Sequence, residues 1–177
     1  QMSEARNNIY MAIPDIVNDY MDKVNKLMGT TYKPFTYYGH PYATSLIIAM
    51  GSVTDTIKLV VNELNNNGGK VGVVTVHLYR PFSSKYLIDV IPPSVSRIAV
   101  LDRTKDNTMS GEPLYLDVLN ALKDKNKEIV GGRYGLASKN TTPEMIKPVF
   151  DMLEGELKNS FTIGINDDVT NLSLKPD

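Results

Sequence analysis

The feature that most constrains the fold is a regular alternation of short apolar strands with amphipathic helices. Residues 71–78 carry apolar side chains at both odd and even positions, which is typical of a strand buried on both faces of a mostly parallel sheet. Similar short apolar segments occur at 46–50, 98–101, 128–130 and 161–165. Right-handed crossovers between parallel strands place helices on both faces of a sheet. The sequence therefore predicts an α/β fold, a three-layer α/β/α sandwich around a five-stranded, mostly parallel sheet.

Helical patterns fill the intervals between these strands. Ser52, followed three residues later by Asp55, predicts a capping-box-like helix start. A later helix opens at Pro143 and runs to about Leu153, but it contains Pro148. Because an interior proline costs roughly 3 kcal/mol, we expect a kink there, or a broken first turn with the main helix starting near Lys147.

The amino-terminal part of the chain has a different character. The spacing of apolar residues predicts a helix over 13–28, with Pro14 at its first position and Gly29 ending it. Residues 30–43 combine several tyrosines with two prolines, which predicts an extended arm outside the sheet. At the other end, residues 172–177 lack periodicity, and we expect this tail to fray or to continue into a missing segment.

These patterns predict two parts. Residues 1–43 form a linker helix and a tyrosine-rich arm, and residues 44–177 form the α/β domain. Because interface cores favour tyrosine, we expect Tyr37, Tyr38 and Tyr42 to form an exposed docking surface, or a self-association contact that replaces it.

Composition excludes several classes of protein. The 19 basic and 20 acidic residues give a formal charge of −1, which argues against a nucleic-acid footprint or a polybasic membrane anchor. No apolar run approaches the roughly 20 residues of a spanning helix, so we expect a soluble chain without a membrane partner. The chain has no cysteine, so it has no thiolate for an iron–sulfur cluster, a zinc site or catalysis.

Charged side chains follow the predicted strands, where ligands bind in open α/β sheets. These candidates for interdomain or anion contacts are Arg80, Asp102, Arg103, Lys105, Arg133, Lys139, Asp167 and Asp168. One interpretation is a salt-bridged loop layer in which the aspartates neutralise the arginines. The other is an anion or nucleotide site, in which arginine side chains and a helix N-terminus bind phosphate. The residues alone leave both interpretations open.

The sequence contains no recognisable catalytic motif. It has no GxSxG elbow and no GxxxxGK[ST] loop, and the Asp167–Asp168 pair lacks EF-hand spacing. His40 and His77 are the two histidines, and neither has a visible triad partner. A stand-alone hydrolase or transferase would need a nucleophile in hydrogen-bond contact with one of them. We therefore expect no catalytic residues and no metal-binding residues in this chain.

Five motifs in the predicted loops occur together and in register. They are LYRPFS (78–83), LDRTK (101–105), GEPLYLDV (111–118), GGRYGLASK (131–139) and FTIGINDDVT (161–170). Together they resemble the second domain of the pyruvate:ferredoxin (flavodoxin) oxidoreductase family, also called pyruvate synthase. The chain departs from the family at Ala137, where glycine is usual. This change matters only if the backbone there has a positive φ.

The resemblance implies a fold like the C-terminal domain of transketolase, without direct cofactor ligands. The parent enzyme oxidatively decarboxylates pyruvate with coenzyme A, giving acetyl-CoA and carbon dioxide and reducing ferredoxin or flavodoxin. It uses thiamine diphosphate, magnesium and iron–sulfur clusters, and it is cytoplasmic in bacteria. The expected partners of this chain are the other domains of that oxidoreductase.

Two hypotheses about the chain itself follow. The first is a non-catalytic structural domain excised from the oxidoreductase. The second is an autonomous α/β module that binds a phosphorylated ligand at the arginine-rich edge formed by Arg80, Arg103, Arg133 and Lys139.

Overall fold

Seven strands form one mixed sheet in the computed structural model of this chain, which describes residues 1–176. The strands are β1 (Phe35–Gly39), β2 (Ser45–Met50), β3 (Val71–Val76), β4 (Arg97–Asp102), β5 (Glu128–Arg133), β6 (Phe161–Ile163) and β7 (Ser173–Leu174). Their spatial order is β1-β3-β2-β4-β5-β6-β7, and every neighbouring pair is parallel except β1 with β3. The predicted α/β class and mostly parallel sheet are confirmed. The predicted count of five strands is wrong, because β1 and β7 add one strand at each edge.

Helices cover both faces of this sheet, as predicted. Helices α3 (Val53–Asn66) and α6 (Pro143–Glu154) pack on one face, and α4 (Ser84–Val90) and α5 (Pro113–Ala121) pack on the other. Two further helices, α1 (Met2–Ala5) and α2 (Asn7–Met28), precede the sheet in the chain. Alternate residues of β2 point to opposite faces: Ile47 packs in the core formed with α3 and α6, and Ile48 packs in the core formed with α4 and α5. This two-sided burial explains why the central strands are apolar at consecutive positions.

The arm predicted for residues 30–43 contributes β1 to the sheet. Phe35 pairs with Val76 and Gly39 pairs with Gly72, so β1 runs antiparallel to β3. Pro34 and Pro41 flank the strand instead of interrupting it, and an edge strand tolerates prolines in such positions. The expectation of an arm outside the sheet is therefore wrong, whereas the division of the chain at residues 43 and 44 stays a prediction.

The tail also contributes a strand. Ser173 and Leu174 pair in parallel with Thr162 and Ile163, and the backbone N–H of Thr162 donates to the Leu172 carbonyl. The expected fraying is wrong for these residues, although Asp177 lies outside the described part of the chain.

Two predicted helix starts are also wrong. Helix α2 begins at Asn7, so Pro14 lies inside it, although Gly29 ends it in a left-handed conformation (φ 66°) as expected. The Ser52 side chain forms no cap hydrogen bond, so the capping-box-like start of α3 is absent. Instead, the Thr54 hydroxyl donates to the Gly51 carbonyl at 2.8 Å.

Helix α6 runs continuously from Pro143 to Glu154. The predicted alternative of a broken first turn with a new start near Lys147 is therefore wrong. Pro148 lies inside the helix and has no N–H, so one carbonyl of the preceding turn loses its helical partner. The kink at Pro148 stays a prediction.

Candidate functional site

The direction of the chain across the sheet reverses between β2 and β4. From β2 the chain passes through α3 to β3 on one side, and from β3 it passes through α4 to β4 on the other side of β2. In open α/β sheets, ligands bind at such a reversal, in the crevice outside the carboxyl ends of the strands. The topology therefore directs attention to the loops that follow β2, β4 and β5.

These loops enclose a cleft of about 200 Å³, which we call the carboxyl-edge cleft. It is lined by Ser52, Val53, Thr56, Arg103, Tyr134, Ser138, Lys139, Asn140 and Thr141. Of the eight charged residues predicted from the strand ends, two line this cleft: Arg103, which follows β4, and Lys139, which follows β5. The Lys139 ammonium donates to the Asn166 side-chain oxygen at 2.9 Å. Hydroxyl and amide side chains supply most of the remaining lining.

Two other predicted site residues, the buried Asp102 and the partly buried Arg133, pair with backbone or side-chain groups. The Asp102 carboxylate accepts hydrogen bonds from the backbone N–H groups of Leu114 and Tyr115 at 3.0 and 3.1 Å, so it caps the start of α5. The Arg133 Nε lies 2.6 Å from a Glu112 carboxylate oxygen, in a pair whose side chains are 12% and 1% exposed. Arg133 also donates to the Ser160 carbonyl at 2.9 Å. These contacts tie the loops to the sheet.

The other four predicted residues lie outside the cleft. Arg80 pairs with Asp117 at 2.8 Å and stacks on the Tyr79 ring at 3.9 Å. Asp168 accepts from the Ser173 backbone N–H at 3.0 Å. Lys105 and Asp167 are exposed. The structure therefore does not bring the four basic residues of the arginine-rich edge together.

The electrostatic environment of the edge has two notable features. Burial raises the pKa of Asp102, although the hydrogen bonds from Leu114 and Tyr115 oppose the shift. Burial also raises the pKa of Tyr134, while the nearby Arg103 charge acts in the opposite direction. Tyr134 is buried, and its hydroxyl lies 3.5 Å from the Met50 carbonyl oxygen.

Sequence reasoning missed Glu112 and Asp117 as the partners of the arginines. It assigned the neutralising role to Asp102, Asp167 and Asp168, because these follow strands directly. Glu112 immediately precedes Pro113, which is the first residue of α5. Proline at that position marks a helix start, so this signal places Glu112 at the carboxyl edge beside Arg133.

Of the tyrosines predicted to form a docking surface, Tyr37 and Tyr38 lie in the edge strand β1, where they pair with Val74 and Val73 of β3, and Tyr42 follows the strand. They are only partly free: the Tyr37 hydroxyl donates to the His40 carbonyl, and the Tyr38 hydroxyl donates to the Asn62 side chain at 2.6 Å. Tyr42 is 70% exposed. Burial raises the pKa of Tyr37 to about 12. Their role as a docking surface stays a prediction.

A second uncovered surface, which is apolar, lies on helix α2. Pro14 is the one buried residue among its 22 residues. We define the α2 face as the apolar side chains Ile16, Val17, Tyr20, Met21 and Val24, which with Tyr32 line an open groove. Tyr20 is 62% exposed. Asp15 fixes the helix to α4 by accepting from the Tyr86 hydroxyl at 2.7 Å.

The two histidines form local contacts. His77 Nε2 is 3.0 Å from the Thr36 hydroxyl on the neighbouring strand, and His40 Nδ1 accepts from the Tyr42 backbone N–H at 3.0 Å. A hydroxyl nucleophile needs a histidine that a third group orients. Within residues 1–176, no hydrogen bond to the Nδ1 of His77 is found.

Together these features define an α/β sandwich domain with a charged loop layer at one sheet edge and an uncovered helix. The family model for pyruvate:ferredoxin oxidoreductase core domain II matches residues 43–146, and the chain belongs to this family. This finding confirms the resemblance, and four of the five loop motifs lie within the matched residues.

Several relatives match nearly the whole chain. A pyruvate-flavodoxin oxidoreductase of Enterobacter agglomerans is 54% identical over 98% of this chain. A pyruvate-flavodoxin oxidoreductase of Trichormus variabilis is 48% identical over 100% of this chain. A pyruvate:ferredoxin oxidoreductase of Moorella thermoacetica is 49% identical over 99% of this chain. The chain spans 15% of the length of each of these relatives.

The residues of this chain do not suit an iron–sulfur cluster, because the sequence offers no thiolate. Across residues 1–176, no group of three or more histidines and carboxylates is placed to hold a metal ion. In the same part of the chain, no helix is both long enough and apolar enough to cross a membrane.

Proposed function

We propose that this chain is a non-catalytic structural domain of a pyruvate:ferredoxin or pyruvate:flavodoxin oxidoreductase. The parent enzyme would oxidatively decarboxylate pyruvate with coenzyme A and pass the electrons to ferredoxin or flavodoxin. Thiamine diphosphate, magnesium and iron–sulfur clusters would be held by its other domains. A cytoplasmic location stays a prediction from the family resemblance.

The observation that carries this proposal is the α2 face. A helix of 22 residues with a single buried residue gains little from packing within this chain, since most helical stability in proteins comes from burying an amphipathic face. The neighbouring domains of the parent would supply the missing cover. Holding those domains in place matters for rate, because roughly 1 Å of misplacement at a reacting centre costs about 10²-fold.

The first experiment tests the non-catalytic role. The chain is assayed alone for pyruvate- and coenzyme A-dependent reduction of a viologen dye, with thiamine diphosphate and magnesium supplied. We expect no turnover, and the intact oxidoreductase serves as the positive control. Turnover by the chain alone, or calorimetric binding of thiamine diphosphate to it, would contradict the proposal.

The second experiment tests the role of the α2 face. Tyr20→Ala is introduced into the intact oxidoreductase, with Lys26→Ala on the opposite side of the same helix as the matched control. We expect Tyr20→Ala to lower the thermal midpoint of the assembled enzyme and Lys26→Ala to leave it unchanged. Equal thermal midpoints of the two variants would contradict the assignment of this face to a domain contact.

In the isolated chain the same face is free to pair with a second copy. We expect weak, concentration-dependent self-association by sedimentation velocity, reduced by Tyr20→Ala and unaffected by Lys26→Ala. A chain that stays monomeric at all concentrations would contradict this part of the proposal. The domain contact is tested separately by the second experiment.

A further inference from the structure

The carboxyl-edge cleft has a charge imbalance that the domain's scaffolding role does not explain. Arg103 and Lys139 are the charged residues that line it, and no carboxylate is among the lining side chains. The guanidinium of Arg103 forms no ion pair or hydrogen bond within residues 1–176, whereas Arg80 and Arg133 are both paired with acids. The cleft therefore presents two positive charges without a protein counter-ion.

One unused backbone hydrogen-bond donor lies in the same place, whereas the next two N–H groups of α3, those of Thr54 and Asp55, donate to the carbonyls of Gly51 and Ser52. The backbone N–H of Val53, the first residue of α3, has no acceptor within residues 1–176, and Ser52 does not cap the helix with its side chain. A helix N-terminus of this kind favours an anion, because its N–H groups and its dipole both attract negative charge.

Tyr134 supplies an independent indication. The side chain is 8% exposed and lines the cleft. Its hydroxyl is 3.5 Å from the Met50 carbonyl oxygen, which is longer than the roughly 2.5–3.0 Å of a normal O–H···O hydrogen bond. A buried hydroxyl with such a poor partner is expected to gain from a better acceptor.

The size of the cleft limits the ligand. Its volume of about 200 Å³ is below the roughly 300–1,000 Å³ of sites that enclose a drug-sized molecule. It therefore suits one small anionic group, and the position at the reversal of strand order is where such a group binds in open α/β sheets.

We propose that the carboxyl-edge cleft binds one phosphate-type dianion between the Arg103 guanidinium, the Lys139 ammonium and the backbone N–H of Val53. The dianion is either free phosphate or the terminal phosphoryl group of a larger ligand. The arginine supplies the planar fork that matches phosphate geometry, and the lysine supplies a point charge. This site is independent of the scaffolding role.

The experiment is a titration of the 177-residue chain with inorganic phosphate, followed by amide NMR and by the thermal midpoint, at constant ionic strength. We expect the Val53 amide resonance to move and the midpoint to rise, because a ligand that binds only the native state stabilises it. Parallel titrations with glycerol phosphate and a nucleoside monophosphate distinguish the sources. Tighter binding of a monoester indicates the end of a larger ligand, and equal or weaker binding indicates free phosphate.

Variants localise the binding. Arg103→Gln and Lys139→Gln should each weaken phosphate binding about tenfold or more, as expected for a lost charge-assisted hydrogen bond. Arg103→Lys keeps the charge but loses the planar fork, so its effect should be intermediate. Lys105→Gln removes an equal charge from the same exposed loop outside the cleft, and it should change the affinity by less than about twofold. Circular dichroism confirms that each variant is folded.

Three results would overturn the proposal. The first is a Val53 amide that does not respond to phosphate or to either monoester. The second is a Lys105→Gln variant that loses as much affinity as Arg103→Gln, since this would indicate general charge attraction. The third is retention of full affinity in folded Arg103→Gln and Lys139→Gln variants.

Discussion

Two helices of this chain, α6 in the sandwich and α2 at the amino terminus, have similar apolar patterns. Their environments are opposite, because α6 is packed against the sheet and α2 is largely exposed. Helix α6 has an apolar stripe and buries Ile146, Val149, Phe150, Met152 and Leu153. Helix α2 also has an apolar stripe, yet it buries Pro14 alone. The comparison shows that periodicity predicts a helix with one apolar face, but it does not reveal whether the cover for that face lies in the same chain.

The largest expected effect compares one aromatic residue from each region. Phe150→Ala should lower the free energy of unfolding of this chain by about 4 kcal/mol, because Phe150 is 1% exposed and its removal leaves a cavity. Tyr20→Ala should change it by less than about 0.5 kcal/mol, as for other surface substitutions. Urea denaturation of both variants measures the difference. A comparable loss for Tyr20→Ala would show that the α2 face is covered within the chain.

Ion pairs give the next largest contrast. Glu112→Ala should cost about 3 kcal/mol, because it leaves Arg133, 12% exposed, without its carboxylate. Asp15→Ala breaks the exposed pair with Lys85 that links α2 to the sandwich, and its cost should be much smaller because solvent screens exposed ion pairs. Thermal unfolding of the two variants tests this order, and an equal shift in midpoint would contradict it.

The Asp102 cap adds a pH dependence. Asp102→Ala should cost about 2 kcal/mol, because it leaves the buried N–H groups of Leu114 and Tyr115 without an acceptor. Burial raises the pKa of Asp102 in the native state. Its contribution to stability is therefore greatest below the unfolded pKa of about 4, and it decreases as the pH rises through the native pKa.

The measurement is the difference in unfolding free energy between the wild type and Asp102→Ala at several pH values. This difference should decrease from acid to neutral pH. The control is Asp15→Ala, whose residue has a lowered pKa because Tyr86 and Lys85 donate to it, so its difference should change in the opposite sense. If the difference in unfolding free energy between the wild type and Asp102→Ala does not change with pH, the raised pKa of Asp102 is contradicted.

The smallest expected effects concern two residues with positive φ. Ala137 has φ 53°, so Ala137→Gly should stabilise the chain by about 0.5–1 kcal/mol. Gly29 ends α2 at φ 66°, so Gly29→Ala should destabilise it by about 1 kcal/mol. Chemical denaturation checks both signs. A destabilising Ala137→Gly would mean that the methyl group of Ala137 makes a favourable contact that outweighs the strain.

The class of fold was predictable because the central strands have apolar side chains at consecutive positions, as Val73 and Val74 do in β3. Such runs are typical of a parallel sheet that is covered on both faces. The edge strands were not predictable by the same rule. β1 lies between two prolines and β7 has two residues, so neither has a long apolar run. Their pairing depends on the neighbouring strand, which a local pattern does not contain.

The sequence predicted where the candidate site lies, but it did not predict which charged residues line it. Residues that follow parallel strands are expected at the carboxyl edge of the sheet. This rule places Arg103 and Lys139 at that edge, and both line the same cleft. The rule treats Arg133 in the same way, yet Arg133 is held by Glu112. Which cations are neutralised depends on acids from other loops, such as the one before α5, and their positions follow only from the folded chain.

The two edge strands of the sheet affect how this chain should aggregate. An outermost strand normally offers its free N–H and C=O groups as a template for the backbone of another molecule. Here one margin is β7, with two residues, and the other is β1, flanked by Pro34 and Pro41. Because β7 is short and β1 is bounded by a proline near each end, neither edge offers a long backbone template, so aggregation of this chain should proceed mainly through side-chain contacts and should respond to mild detergent.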